Sequence, residues 1–308
     1  MFDVDKALGL WRSEVLRRAL CVQSVILDSS REFLRRQGFI EILPVIISPI
    51  TDPLTDHRVR GEVECYGFKY QITKSMIFHK QMALFAHPRI FCFSPNVRIE
   101  AVERQNSGKH LIEFVQLDLE MKESSREEVM ALGEALFRSI ILAVKEKCQG
   151  ELEFFDRKLK VPESPFFRIT YREAQEKFGP DFEEKLSSSY EAPVWVLDFP
   201  IEGREFYDRE DPKRPGTLID MDLVYPEGYG EALSGGEREY ELERICYRIQ
   251  QKGIQLEAFS PYLEVAKRGL YPSAGFGIGI ERLTRYLCGL RPIEATRLFA
   301  KLPGQLSL

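Results

Sequence analysis

The sequence predicts an α+β fold, an antiparallel sheet flanked by helices, and three observations carry that expectation. Two segments, 93–121 and 219–239, read as strand, polar loop, strand, which is the pattern of long antiparallel pairing. Amphipathic helical periodicity at 13–37 and 127–148 supplies a covering layer. A strand with glycine at every second position (Gly275, Gly277, Gly279) runs directly into a helical pattern at 283–290.

The elements follow in order. Leu16, Leu20, Ile26 and Phe33 give the first long helix its apolar stripe. Arg17, Arg18, Arg31, Arg35 and Arg36 form a basic strip on it, which reads as a solvated face before it reads as an RNA face. Strands are expected at 40–48 and 62–71, then a helix at 77–85 and the hairpin of 93–121. Beyond the helix at 127–148 come a short helix at 171–178, a strand at 194–199, and helices at 238–253 and 260–269. Segments 187–191 and 208–216 read as loops.

Composition narrows the class. A net charge of −5, from 43 basic and 48 acidic residues, and no basic tract argue against a dedicated nucleic-acid binder. Six cysteines are scattered without metal spacing and read as reduced thiols of a cytoplasmic protein. No signal peptide opens the chain and no apolar run is long enough to cross a bilayer.

Side chains alternate along a strand, so Arg98 shares a face with Glu100, and Phe114 shares one with Gln116, Asp118 and Glu120. Val115, Leu117, Leu119 and Met121 supply the opposite, core-facing side. Successive polar groups on one face are costly unless that face lines a wet or ligand-filled cleft, although a solvent-facing edge strand fits the same pattern. Asp222, Glu231 and Ser234, followed by Gly235, Gly236 and Arg238, place carboxylates by a glycine turn, where Mg²⁺ takes one or two of them plus substrate phosphates. The glycines of 275–279 bare one strand face for close approach of a flat base, with Arg282 at the strand–helix junction. A tight sheet–helix contact with an ordinary surface arginine would also suit them.

Taken together, these segments resemble the motifs of the class II aminoacyl-tRNA synthetase core, in its aspartate/asparagine branch. RIE followed by KHLIEFVQLDLE is similar to motif 2, GYGEALSGGERE to the acidic metal strand with the amino-acid arginine, GFGIGIERL to motif 3, and GFIEILP at 38–44 to motif 1. The resemblance runs from about residue 17 to 298 and implies that family's antiparallel sheet flanked by helices. By resemblance, Arg98 holds the α-phosphate and Glu100 the adenine amino group. His110 and Glu113 contact the phosphates and the motif 2 loop, and Phe114 and Arg282 sandwich the adenine. Lys109, Leu111, Gly279, Ile280 and Glu281 complete the ATP site. Glu231, Ser234 and Asp222 hold Mg²⁺, Asp118 takes the substrate ammonium, and Lys80 and Arg238 hold a carboxylate, with Ser75, Gln116 and Gly235 beside them. Two departures stand out: a longer loop between Glu100 and His110, and Phe299-Ala300-Lys301 where the family ends in Phe-Pro-Arg.

Motif 1 begins within the first forty residues, which leads to the expectation of a single catalytic domain over 1–308 without the anticodon-binding barrel. Segment 75–81 keeps Lys80 but has Ile77 where the tRNA synthetases carry a glutamine, and its spacing resembles the bacterial ammonia-dependent asparagine synthetase. The loop 51–55 (TDPLT) resembles that enzyme's too, and its Asp52 matches the aspartate tied to ammonia, or simply makes an Asx turn before Pro53. The resulting expectation is an archaeal-type asparagine synthetase. It joins aspartate, ATP and ammonia through a β-aspartyl-adenylate, with Arg98, Arg282 and Asp52 as catalytic residues. It forms a homodimer through motif 1 and uses neither tRNA nor a membrane. The alternatives are a truncated synthetase paralogue that aminoacylates a tRNA or another acceptor, and a non-enzymatic adenylate-binding regulatory protein.

Overall fold

The computed structural model describes residues 3–54 and 61–308. Asp3 caps α1 (Val4–Trp11) by accepting the Lys6 amide, and α2 (Glu14–Arg36) buries Leu16, Ala19, Val22, Ile26 and Leu34 at helical spacing. The arginines of its other side are all paired with carboxylates: Arg17 and Arg18 with Glu14, Arg31 and Arg35 with Glu41, Arg36 with Glu32. A solvated face is what the pairing describes.

The single strand expected at 40–48 does not form. Pro44, which has no amide to donate, divides it into β1 (Ile40–Glu41) and β2 (Ile47–Ser48), which join different sheets. The strand expected at 62–71 is a hairpin, β3 (Glu62–Cys65) and β4 (Phe68–Ile72), turning on Tyr66 and Gly67 at positive φ. Then come α3 (Ile77–Ala83), β5 (Arg89–Val97), β6 (Glu113–Lys122) and α4 (Arg126–Lys147), the last begun by a Ser125–Glu128 capping box.

Next are α5 (Gln149–Phe154), β7 (Phe167–Thr170), α6 (Tyr171–Phe178), α7 (Phe182–Ser189) and β8 (Val194–Leu197). Helix α7 occupies part of what reads as loop at 187–191, because Leu186 and Ser187 are buried and the Ser187 hydroxyl binds the Tyr225 carbonyl. The chain closes with β9 (Asp220–Tyr225), β10 (Gly230–Arg238), α8 (Leu242–Gln251), α9 (Ser260–Ala266), β11 (Ser273–Gly279) and α10 (Ile280–Cys288). Arg238 therefore ends a strand instead of starting a helix.

Eight strands form the main sheet in the order β1-β5-β6-β11-β10-β9-β8-β7, antiparallel except for the parallel pairs at each edge. One face is apolar: Leu117, Leu119, Leu223, Leu233 and Phe276 pack with Val22, Ile26, Phe137, Ile140 and Leu283 from α2, α4 and α10. Period-two alternation then sends Gln116, Asp118, Glu120, Ser234 and Arg238 to the other face. The central strands thus build the core with one set of residues and a polar floor with the next. Among the described residues no helix is long and apolar enough to cross a membrane.

Candidate active site

Two cavities lie on the polar face. The first, about 440 Å³, is lined by Arg98, Glu100, Lys109, His110, Leu111, Phe114, Gly279 and Arg282, with Glu183 and Tyr229 from beyond the hairpin. The second, about 280 Å³, is lined by Asp52, Ser75, Lys80, Asp118, Arg204, Tyr207, Asp208, Ser234, Gly235 and Arg238. Arg98, Gln116 and Glu231 line both, so the cavities meet at those three side chains.

The smaller cavity is a charge lattice. Lys80 donates to Asp118 at 3.0 Å, and Ser94 donates to the other oxygen of that carboxylate at 2.6 Å. Arg238 is held by Glu120 at 3.2 Å, Asp208 at 3.1 Å and the Gly275 carbonyl at 2.8 Å. All of these charged side chains are buried, which costs solvation that only close pairing offsets. Burial, partly opposed by Arg238, pushes the Asp208 carboxyl up to about 6.

Glycine makes room for this lattice. A Cβ on Gly275 would stand 2.2 Å from both Glu120 Oε2 and the Leu119 carbonyl, and one on Gly277 would stand 3.0 Å from Asp118 Oδ1. The glycines of β11 therefore do not bare a whole strand face for a base. Gly275 accommodates a neighbouring carboxylate, Gly277 borders the smaller cavity, and only Gly279 borders the larger one.

Asp52 makes its contacts with distant parts of the chain. Its Oδ2 accepts from Ser75 Oγ at 2.8 Å and from the Tyr207 hydroxyl at 3.0 Å, while Oδ1 is buried with no hydrogen-bond partner. Thr55, the end of the 51–55 loop motif, lies outside the described residues.

In the larger cavity, the Arg98 guanidinium lies over the Phe114 ring and Arg282 lies 3.4 Å from Glu231. Burial raises the Glu231 carboxyl, but Arg282, Arg204, Arg98 and Lys109 outweigh it and leave it below its usual value. His110 bonds Ser107 at 2.6 Å. Burial, then Arg282, Arg104 and Lys109, depresses it to about 3, so the ring is neutral at pH 7. Glu100 pairs with Arg104 at 2.9 Å.

Two expected ATP contacts are placed otherwise, and a third is already engaged by protein groups. Glu113 does not line the cavity; Lys301 at 3.1 Å and Arg297 take up its carboxylate. Ile280 packs in the hydrophobic core, because it starts α10 on the side facing that core. Glu281 borders the cavity, yet its carboxylate accepts the Val115 amide at 3.0 Å and pairs with Arg297, clamping α10 to β6.

For Mg²⁺ the structure brings together two carboxylates and a hydroxyl. Asp222 and Ser234 are register partners on β9 and β10, with Glu231 one turn of the pleat away. Asp222 Oδ2 accepts from Arg204 at 2.6 Å, while its Oδ1 is buried without a partner. Burial raises Asp222 to about 7, with Arg204 opposing and Glu231 adding to the rise. An orphaned carboxylate oxygen beside a second carboxylate suits a hard dication, so the residues fit. Among the described residues no group of three or more His, Cys, Asp or Glu is placed to hold a metal ion.

Sequence reasoning missed Arg204, Tyr207 and Asp208. They lie in the segment between β8 and β9, where nothing periodic marks them. Asp208 meets Arg238 through an isolated antiparallel bridge and a side-chain ion pair, contacts between residues thirty positions apart.

Residues 4–303 match the family described as tRNA synthetases class II (D, K and N). Among solved structures, the asparaginyl-tRNA synthetase of Pyrococcus horikoshii complexed with asparaginyl-adenylate superposes with a TM-score of 0.87 at 26% identity, over 96% of this chain and 70% of that one. The aspartyl tRNA synthetase of Entamoeba histolytica gives 0.79 at 26% identity, over 99% of this chain and 62% of that one. The Entamoeba histolytica asparaginyl-tRNA synthetase in complex with asparaginyl-adenylate shares the fold, with a TM-score of 0.85 at 22% identity over 96% of this chain and 70% of that one.

Proposed function

The chain belongs to the class II tRNA synthetases of the D, K and N group, and from that premise we propose that it is an AMP-forming aspartate–ammonia ligase. ATP occupies the larger cavity and aspartate the smaller, so that the α-phosphate meets the reacting carboxylate at Arg98, Gln116 and Glu231. Arg238 grips the α-carboxylate, Asp118 receives the α-ammonium, and the β-carboxylate turns toward Arg98. Its oxygen attacks the α-phosphorus and the bond to pyrophosphate breaks. Arg98 and Arg282, already fixed, stabilise the charge that gathers there. Mg²⁺, held by Glu231, Asp222 and Ser234, would supply further charge neutralisation on the phosphates.

In the second half-reaction ammonium enters beside Asp52 and gives one proton to that carboxylate. The ammonia lone pair forms the C–N bond at the β-carbonyl carbon. The bond to AMP breaks with its electron pair on the AMP oxygen, and a second proton leaves the nitrogen to water. The observation that carries this reading is Asp52 Oδ1, a buried carboxylate oxygen with no protein partner, on a residue that lines the smaller cavity. Such an oxygen is costly unless a donor meets it, and ammonium is a compact donor.

Product analysis with ATP, aspartate and ammonium, with and without tRNA, tests it. Asparagine and AMP formed without RNA support the ligase; ATP use that requires tRNA defeats it. That second outcome would favour an acceptor like that of the asparaginyl-tRNA synthetase it resembles. The ligase is expected in the cytoplasm as a homodimer joined through the exposed apolar edge at Ile40, Leu43, Ile46 and Ile47, which sedimentation measures.

A further inference from the structure

We infer that Tyr207 is a positioning residue for the amide-forming step, fixing Asp52 so that Oδ1 alone faces the incoming nitrogen. The inference rests on the ligase reading and deepens it. Two hydroxyls from distant parts of the chain, Ser75 Oγ and Tyr207 Oη, converge on the same Asp52 oxygen at 2.8 and 3.0 Å. Two donors on one oxygen fix the carboxylate plane and leave the other oxygen unpartnered and buried, with its acceptor capacity intact.

Tyr207 is itself held rigidly. Its ring packs edge-on against Phe78 and Phe206, with centroids 5.7 and 5.8 Å away. Its carbonyl accepts the Glu239 amide at 2.8 Å, just past the end of β10, and its neighbour Asp208 holds Arg238. One dipeptide thus connects the group that grips the substrate carboxylate to the group that meets the nucleophile. Burial, then Asp52, Asp208 and Glu205, push the Tyr207 hydroxyl well above its usual range, so it remains a donor at working pH.

The test uses Tyr207→Phe, which keeps the ring and its packing. In the full-length protein it should raise the KM for ammonium about tenfold, as loss of a hydrogen bond to a charged group does. Aspartate-dependent pyrophosphate exchange should stay within about twofold. In an Asp52→Asn background the same change should not further slow whatever asparagine synthesis remains, because both act through one side chain. Phe166→Leu, which loosens the main core and borders neither cavity, should lower Tm and leave the ammonium KM alone. An unchanged ammonium KM in Tyr207→Phe, or an equal loss in exchange and synthesis, overturns the positioning role. A wild-type protein that makes no asparagine from ammonium overturns the ligase reading and this inference with it, an outcome visible before any variant is made.

Discussion

The Arg98 guanidinium carbon stands 5.1 Å from the centroid of the Phe114 ring. Arg282 is likewise engaged, with Glu231. Both cations are preorganised at the rim of the larger cavity by protein partners, with which ATP, in the proposed reaction, must compete.

Arg98→Ala and Arg282→Ala should each lower aspartate-dependent pyrophosphate exchange by about 100- to 1000-fold, roughly 3–4 kcal/mol of transition-state stabilisation. Arg35→Ala, which removes only an exposed pair with Glu41, should leave exchange at the wild-type rate. Near-normal turnover in either site variant would remove that arginine from the phosphate.

Asp52→Ala should separate the two half-reactions. Exchange of pyrophosphate into ATP should persist while asparagine formation fails, because the nucleophile enters only after the adenylate exists. Lys80→Ala should weaken both, since it frees Asp118 and misplaces aspartate. Equal loss of exchange and synthesis in Asp52→Ala would return that residue to a structural role.

Gly275→Ala should cost about 3 kcal/mol or abolish soluble expression, because the new methyl group meets a carboxylate and a carbonyl with no space to share. Gly269→Ala has open space, but its φ of +91° makes it a test of backbone strain alone. Urea midpoints for the pair distinguish steric overlap from strain.

His110 gives stability a pH dependence of known sign. Its folded value is about 3, well below the ordinary histidine value of about 6.5, so between those limits the unfolded chain binds a proton that the native state does not. Stability from this group is therefore complete above pH 6.5 and falls as pH drops toward 3. Between pH 7 and pH 5 the loss amounts to about 2 kcal/mol at most. Urea unfolding at both pH values should show a smaller difference for His110→Asn than for wild type; identical differences would refute the assignment.

Arg297→Met should leave the buried Glu281 carboxylate without its cation and destabilise the protein by about 3 kcal/mol. Adding Glu281→Gln should recover part of that loss, since the amide still accepts from Val115. Denaturant titration of the single and double variants measures the coupling.

The parts of this molecule legible in its sequence are those where local periodicity and final environment agree. The alternation along β6 placed Gln116, Asp118 and Glu120 opposite Leu117 and Leu119, and the apolar spacing of α2 and α4 found two of the helices that cover the sheet. Motif order brought Arg98, Lys80, Asp118, Ser234, Arg238 and Arg282 to the two cavities. Illegible were the contacts that depend on distant chain segments. Glu113 has the polarity of a phosphate contact, but Arg297 and Lys301 from the C-terminal segment reach it first. Tyr207 and Asp208 sit in an irregular stretch whose meaning comes only from Asp52 and Arg238, far away in sequence. The split of 40–48 between two sheets likewise has no periodic signature.

The contact of Gly275 with Glu120 also bears on how the sheet finds its alignment. These residues face each other across β11 and β6, and the same register sets Gly277 against Asp118. Sliding either strand by one residue would turn the acids into the hydrophobic layer and set Leu119 in the space that only glycine leaves open. Misaligned pairings would thus bury unpaired charge while losing core contacts, and would be rejected twice over. The acidic floor of the cavity is therefore also a proofreading device for strand assembly, and substitutions made there to alter substrate choice will be felt first in the yield of correctly registered protein.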